Sequence, residues 1–155
     1  MPWISAILDQ VEHSEGWGFR SGTAPSAEPA ALAAMALAAH GRADEGLLAA
    51  RWLMRIQAQD GRVGLSERVS SPGWMTSLAV LAWESVASRL VGETAKSAGD
   101  ELREASRRGT DWLLIASGER VQPDAGIQHD TTLVGWSWID GTHSWLEPTA
   151  GHGAA

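Results

Sequence analysis

Two stretches of the chain, SAEPAALAAMALAA at 26–39 and WMTSLAVLAWESVASRL at 74–90, carry almost no charge anywhere around a helical wheel. Alanine and leucine, the strongest helix formers, dominate them, and the period-two alternation of a half-buried strand is missing. A helix that is apolar on every side has to be covered on every side. The segments around them supply the cover. Over 3–13, Ile4, Ile7, Leu8 and Val11 share one face, away from Asp9, Gln10 and Glu12. Over 43–58, Leu48, Trp52 and Ile56 form a row that excludes Asp44, Arg51 and Arg55. Over 100–116, Leu102, Trp112, Leu113 and Ile115 oppose Arg103, Glu104, Arg107 and Arg108, with Gly109 weakening the helix.

This alternation predicts helices at 3–13, 26–40, 43–58, 74–90 and 100–116, paired by short loops into antiparallel hairpins, with 26–40 and 74–90 the most buried. Ser26 is positioned to cap the second of them, Glu28 complements its dipole, Pro29 fits its first turn and Gly41 ends it. Hairpins placed side by side curve into an arc, so the expected class is all-α, an α/α toroid (alpha-alpha barrel) that is an incomplete ring. Its repeats run over about 1–40, 43–90 and 100–155, and 155 residues make one domain, 1–155.

A duplication supports the repeat. GWGFRSGTAPSAEPAA at 16–31 and GWSWIDGTHSWLEPTA at 135–150 align without a gap and share Gly16/Gly135, Trp17/Trp136, Gly22/Gly141, Thr23/Thr142, Glu28/Glu147, Pro29/Pro148 and Ala31/Ala150. Each copy stands where an outer helix gives way to an inner one, so the repeated element is a loop-to-helix corner. The final EPTAGHGAA stops where the first copy continues EPAALAAMALAAHG, as though a last inner helix were cut short.

Composition removes several classes of function. A formal charge of -7 and scattered Lys and Arg argue against a nucleic-acid surface. The absence of cysteine excludes disulfides, thiolate zinc sites and thiol nucleophiles. Residues 1–16 lack a basic start and a long apolar run, so no signal peptide is read there, and no stretch is long and apolar enough to span a bilayer. A cytoplasmic, soluble protein is the expectation. Neither Gly-x-Ser-x-Gly nor a phosphate-binding glycine loop occurs, and no cofactor is expected.

In WLMRIQAQDGRVG at 52–64, Trp52, Leu53, Gln57, Asp60, Gly61 and Gly64 form an aromatic, Gln and Gly pattern that leads into an apolar helix. Trp3, Gln10 and Gly16-Trp17-Gly18-Phe19 precede it, and Trp112, Leu113 and Gly135-Trp136-Ser137-Trp138 follow. These units resemble the prenyltransferase and squalene-cyclase repeats of the terpenoid cyclase and protein prenyltransferase superfamily, and they cover nearly the whole chain. The resemblance implies an α/α toroid and an apolar, polyprenyl-like ligand. The Asp-x-Asp-Asp acid of squalene-type cyclases, the Cys zinc ligand of prenyltransferases and the Cys-Gln thioester of complement-type toroids are all missing. Two readings follow: a non-catalytic repeat domain that binds an apolar ligand or a protein partner on its concave face, or a segment of a cyclase-type enzyme whose acid motif lies elsewhere. An arc with an uncovered last flank also predicts a homo-oligomer.

Candidate site residues gather in the corners. Trp17, Trp136, Trp138 and Trp145 offer broad indole faces to an isoprenoid or a pyranose ring, or else staple the hairpins together. Glu28 and Glu147 either complement helix dipoles or face a cavity as an acid/base pair. His143 and His152, with His129 and Asp130, form a loose His/Asp set whose spacing matches no compact metal motif, and no metal is expected. The segment 118–134 is long for a hairpin connection, a length that favours a functional loop.

Overall fold

A computed structural model of the chain describes residues 5–6, 16–20, 22–123, 126 and 129–155. Among the described residues, five helices are bounded, in order: α1 (Ala27–Ala39), α2 (Ala43–Arg55), α3 (Met75–Ala87), α4 (Glu93–Ile115) and α5 (Leu146–Ala154). The fold is all-α, with isolated bridges and no strand among the described residues. The helix expected over 3–13 lies outside the described residues except for Ser5 and Ala6, which are helical.

The two uncharged helices are the centre of the molecule. Helix α3 packs against each of the other four, and α1 packs against α2 and α3. Helices α1, α3 and α5 are thus successive neighbours, with α2 packed on α1 and α3, α4 packed on α3, and α2 touching α4. The seam between α1 and α2 is built from small side chains. Ala30, Ala34 and Ala38 of α1 and Ala49 and Ala50 of α2 are buried, and a Cβ at Gly46 would sit only 3.0 Å from the Ala34 carbonyl oxygen. Gly109 does the same for α4, where a Cβ would come within 2.8 Å of Val80. The glycine that weakens α4 as an isolated helix is therefore what lets it approach α3. Trp83 fills the middle of the core, with its indole N–H donating to the Ala50 carbonyl at 3.0 Å. A buried indole satisfied in this way adds orientation to its large apolar contribution.

Helix ends explain where the sequence expectations shift. Helix α1 closes in a Schellman turn: Gly41 has φ +74°, its N–H donates to Ala38, and the Arg42 N–H reaches back to Leu37. Ser26 makes no side-chain cap. Its hydroxyl donates to the Leu65 carbonyl, which also accepts the Ala27 N–H, so the start of α1 is tied to the loop before α3. Helix α2 ends at Arg55, short of 58, because Gln57 turns inward. Its amide donates at 2.9 Å to both the Gly61 and Ala105 carbonyls and its oxygen accepts from Arg108 at 2.6 Å. Arg108, expected on the wet face, is thereby half-buried. Leu48 and Ile115, expected in buried rows, are 51% and 81% exposed, because the buried stripe of α2 runs through Gly46, Ala49, Ala50 and Leu53 and that of α4 through Ala98, Leu102, Ala105 and Leu113.

The duplicated stretches adopt matching corners. Ser26 N–H donates to the Trp17 carbonyl and Trp145 N–H to that of Trp136, both at 2.9 Å. Thr23 and Thr142 hydroxyls donate to the Arg20 and Ile139 carbonyls, both at 2.7 Å. Gly22 and Gly141 have φ +74° and +78°, and the residues before the two helices, Ser26 and Trp145, are both extended. The loop into α3 shares part of this frame. Val63 N–H donates to the Thr76 hydroxyl as Trp136 N–H donates to that of Thr149, and Ala58 N–H donates to Arg62 as Gly118 N–H donates to Gly135. The clasp that closes over 58–62 in one loop closes over 118–135 in the other, so the long loop is an expansion inside a shared frame.

Candidate ligand-binding site

The expanded loop borders an open apolar groove. Glu119 N–H donates to Thr142 at 2.8 Å, and Val121 and Thr131 are joined by an N–H···O bond of 3.0 Å and a hydroxyl bond of 2.7 Å in the opposite direction. Thr131 is buried at this base. Asp130 accepts from the Thr132 hydroxyl and N–H, and these bonds, hydroxyl first, with the nearby His129 ring, hold its carboxyl below the usual range. The turn delivers Leu133 and Val134 opposite Trp145 and Leu146 at the start of α5. Between them lies a groove of about 530 Å³, edged by His129, Asp130, Ser144 and Thr149. Leu133, Val134 and Leu146 are 64%, 56% and 85% exposed, so the apolar wall is open to solvent. At its rim the rings of His129, His143 and Trp145 lie mutually 4.7–4.9 Å apart. The buried His143 Nε2 has no hydrogen-bond partner among the described residues.

A second, more polar cavity of about 280 Å³ opens beside the C-terminal end of α4. Trp74, Trp112 and Trp136 form its aromatic walls, and Trp136 is fixed by an indole N–H bond of 3.1 Å to Leu113. His152 stands with ring centroids 5.1 Å from Trp136 and 6.4 Å from Trp112. Burial pushes its pKa down to about 4, against a weaker opposing pull from the Pro148 carbonyl one turn earlier. Nδ1 makes no bond of ordinary geometry there, and the imidazole is neutral at pH 7. Across the cavity, Arg62 donates to Asp140 at 3.1 Å, and Ser71 donates to the same carboxylate oxygen at 3.0 Å.

The structure divides the candidate residues among several places. Trp17 is buried in the main core and lines neither concavity. Trp138 packs edge-on against Trp74 at 4.5 Å, and both line a small 140 Å³ hollow beside Glu147. Trp136 belongs to the polar cavity, Trp145 to the groove and His143 to its rim. Glu28 and Glu147 occupy the first turns of α1 and α5, half-buried and exposed respectively. Among the described residues no group of three or more His, Asp or Glu side chains is placed to hold a metal. Arg62 and Asp140, far apart in sequence, and Leu133 and Leu146 carried no signal of their own. Trp74 and Trp112 read as helix packing. Among the described residues, no helix is long and apolar enough to cross a membrane.

Compared with family models, curated proteins and solved structures, the chain matches none of them.

Proposed function

We propose that the chain is a repeat domain of the terpenoid cyclase and prenyltransferase type, an arc of an α/α toroid, that binds an apolar polyprenyl-like ligand and is non-catalytic as it stands. The groove between Leu133, Val134, Trp145 and Leu146 is the observation that carries this reading. Its 530 Å³ lies within the roughly 300–1,000 Å³ typical of small-molecule sites, and its walls are apolar with a few polar groups at the rim. The shared corner hydrogen bonds support the repeat, and the succession of contacts from α1 to α3 to α5 supports the arc. Glu28 and Glu147 serve as first-turn acids in this reading, since one helix-dipole role accounts for both copies.

Quenching of tryptophan fluorescence by farnesol and geranylgeraniol tests it. Saturable quenching is expected, with affinity falling at least about tenfold, or 1.4 kcal/mol, in Leu133→Asp and in Leu146→Asp. Quenching that does not saturate, or that both variants leave unchanged, rejects the reading. Self-association belongs to the same proposal, because Leu114, Ile115 and Leu146 are each more than three-quarters exposed. Light scattering that shows a stable monomer at high micromolar concentration would remove that part.

A further inference from the structure

We propose that the tryptophan-walled cavity at the end of α4 is a binding site for one neutral pyranose ring, separate from the apolar groove. Three properties of the cavity select this ligand. The first is size, since about 280 Å³ falls just under the range of roughly 300–1,000 Å³ that takes drug-sized molecules, which leaves room for a single small ring. The second is the wall. Trp74, Trp112 and Trp136 present indole surface, and the C–H face of a pyranose stacks on such surface without needing charge.

The third is the character of the polar groups. Arg62 is already neutralised, with Asp140 at 3.1 Å and Asp60 at 3.8 Å. Asp140 is engaged by both Arg62 and Ser71. His152 is uncharged at pH 7. An ionic ligand entering here finds no unpaired counter-charge and loses its hydration, an unfavourable exchange. A neutral polyol loses less. The guanidinium and carboxylate stand side by side as donor and acceptor, so adjacent ring hydroxyls can accept from one and donate to the other. The Ser117 and Ser137 hydroxyls on the same lining act in either sense. Gly73 is what permits the arrangement: a Cβ there would meet Trp112 at 2.5 Å and the Arg62 stem at 2.6 Å, and would force the wall away from the ion pair.

Titration calorimetry with methyl α-glucoside, methyl α-mannoside, methyl α-galactoside and N-acetylglucosamine tests the assignment, with glucuronate, glucosamine and adenosine as comparisons. At least one neutral sugar should bind saturably, in the millimolar range, more tightly than all three comparisons. Asp140→Asn should weaken it at least tenfold. Ser117→Trp, which fills the cavity from an exposed position, should abolish it, while Leu48→Ser on the outer face of α2 should leave it unchanged. Circular dichroism reports whether each variant folds, and Ser117→Trp decides the matter if Asp140→Asn does not. The proposal fails if no neutral sugar saturates the wild-type protein, if adenosine or a charged sugar binds more tightly, or if folded Ser117→Trp retains full affinity.

Discussion

The corner before α1 and the corner before α5 share a backbone frame and differ in what they enclose. In the first, the chain folds back so closely that a Cβ at Gly18 would collide with the Thr23 hydroxyl and lie 2.8 Å from the Thr23 carbonyl. Trp17 is 3% exposed, and Pro25 and Trp52 crowd Gly16. In the second, serine stands at the matching position, Ser137, and lines a cavity, while Trp136 is only half-buried. About two turns into the helices, Ala33 on α1 stands where α5 has His152, both 6% exposed. Backbone hydrogen bonds thus hold the form of both corners, and how closely the chain folds back on itself decides whether the corner is filled or hollow.

Removing the two equivalent tryptophans should separate the corners most strongly. Trp17→Ala should cost about 3–5 kcal/mol, the range for truncating a fully buried aromatic, and Trp136→Ala less than half of that. Denaturant midpoints measure both, and equal losses would mean that the second corner is as tightly filled as the first.

The next effect belongs to His152. Its folded pKa of about 4 lies below the ordinary value of 6.5, so the unfolded chain takes up the proton first as pH falls. Stability from this group is complete above about pH 6.5 and declines towards pH 4, by about 3 kcal/mol in total. Unfolding titrations across that window should show a shallower slope in His152→Leu than in the parent. Identical slopes would place the imidazole in contact with water.

Exchanging the third pair of residues tests the space directly. Gly18→Ser should cost about 1–3 kcal/mol by overpacking, while the reverse change, Ser137→Gly, should stay under about 1 kcal/mol. Comparable losses in thermal unfolding would contradict the difference in room between the corners. The smallest effect checks the shared frame itself. Gly22→Ala and Gly141→Ala both place a side chain at positive φ with no tight neighbour, so each should lose about 1 kcal/mol, and by the same amount. A large inequality between them would show that the two turns are held differently.

The corners were legible because glycine at positive φ and the threonine beside it leave a fixed pattern in sequence, as Gly22-Thr23 and Gly141-Thr142 do. The two central helices were legible because charge is excluded from them. The start of α4 was missed by several residues, since ETAKSAG at 93–99 has no apolar stripe to mark it. Leu48 and Ile115 misled because periodicity favours large side chains, whereas the helices of this fold meet largely through alanine and glycine. The polar cavity was illegible for another reason. The Arg62–Asp140 pair and the approach of Trp74, Trp112 and Trp136 join separate elements, and no local spacing encodes such a meeting.

The connections also differ by end of the stack. The links at 40–42 and 88–92 are tight, while those at 56–74 and 116–145 are long and carry the groove and the cavity. Between the clasp residues Gly118 and Gly135 the chain has already absorbed more residues than between Ala58 and Arg62 without changing the hydrogen bond that closes it. Lengthening a closed loop is inexpensive, with each doubling adding only about 0.6 kcal/mol. For protein engineering, the 118–135 loop is therefore the natural port into which a recognition peptide or a reporter domain can be grafted, with the Gly118–Gly135 clasp isolating the helices from whatever is inserted.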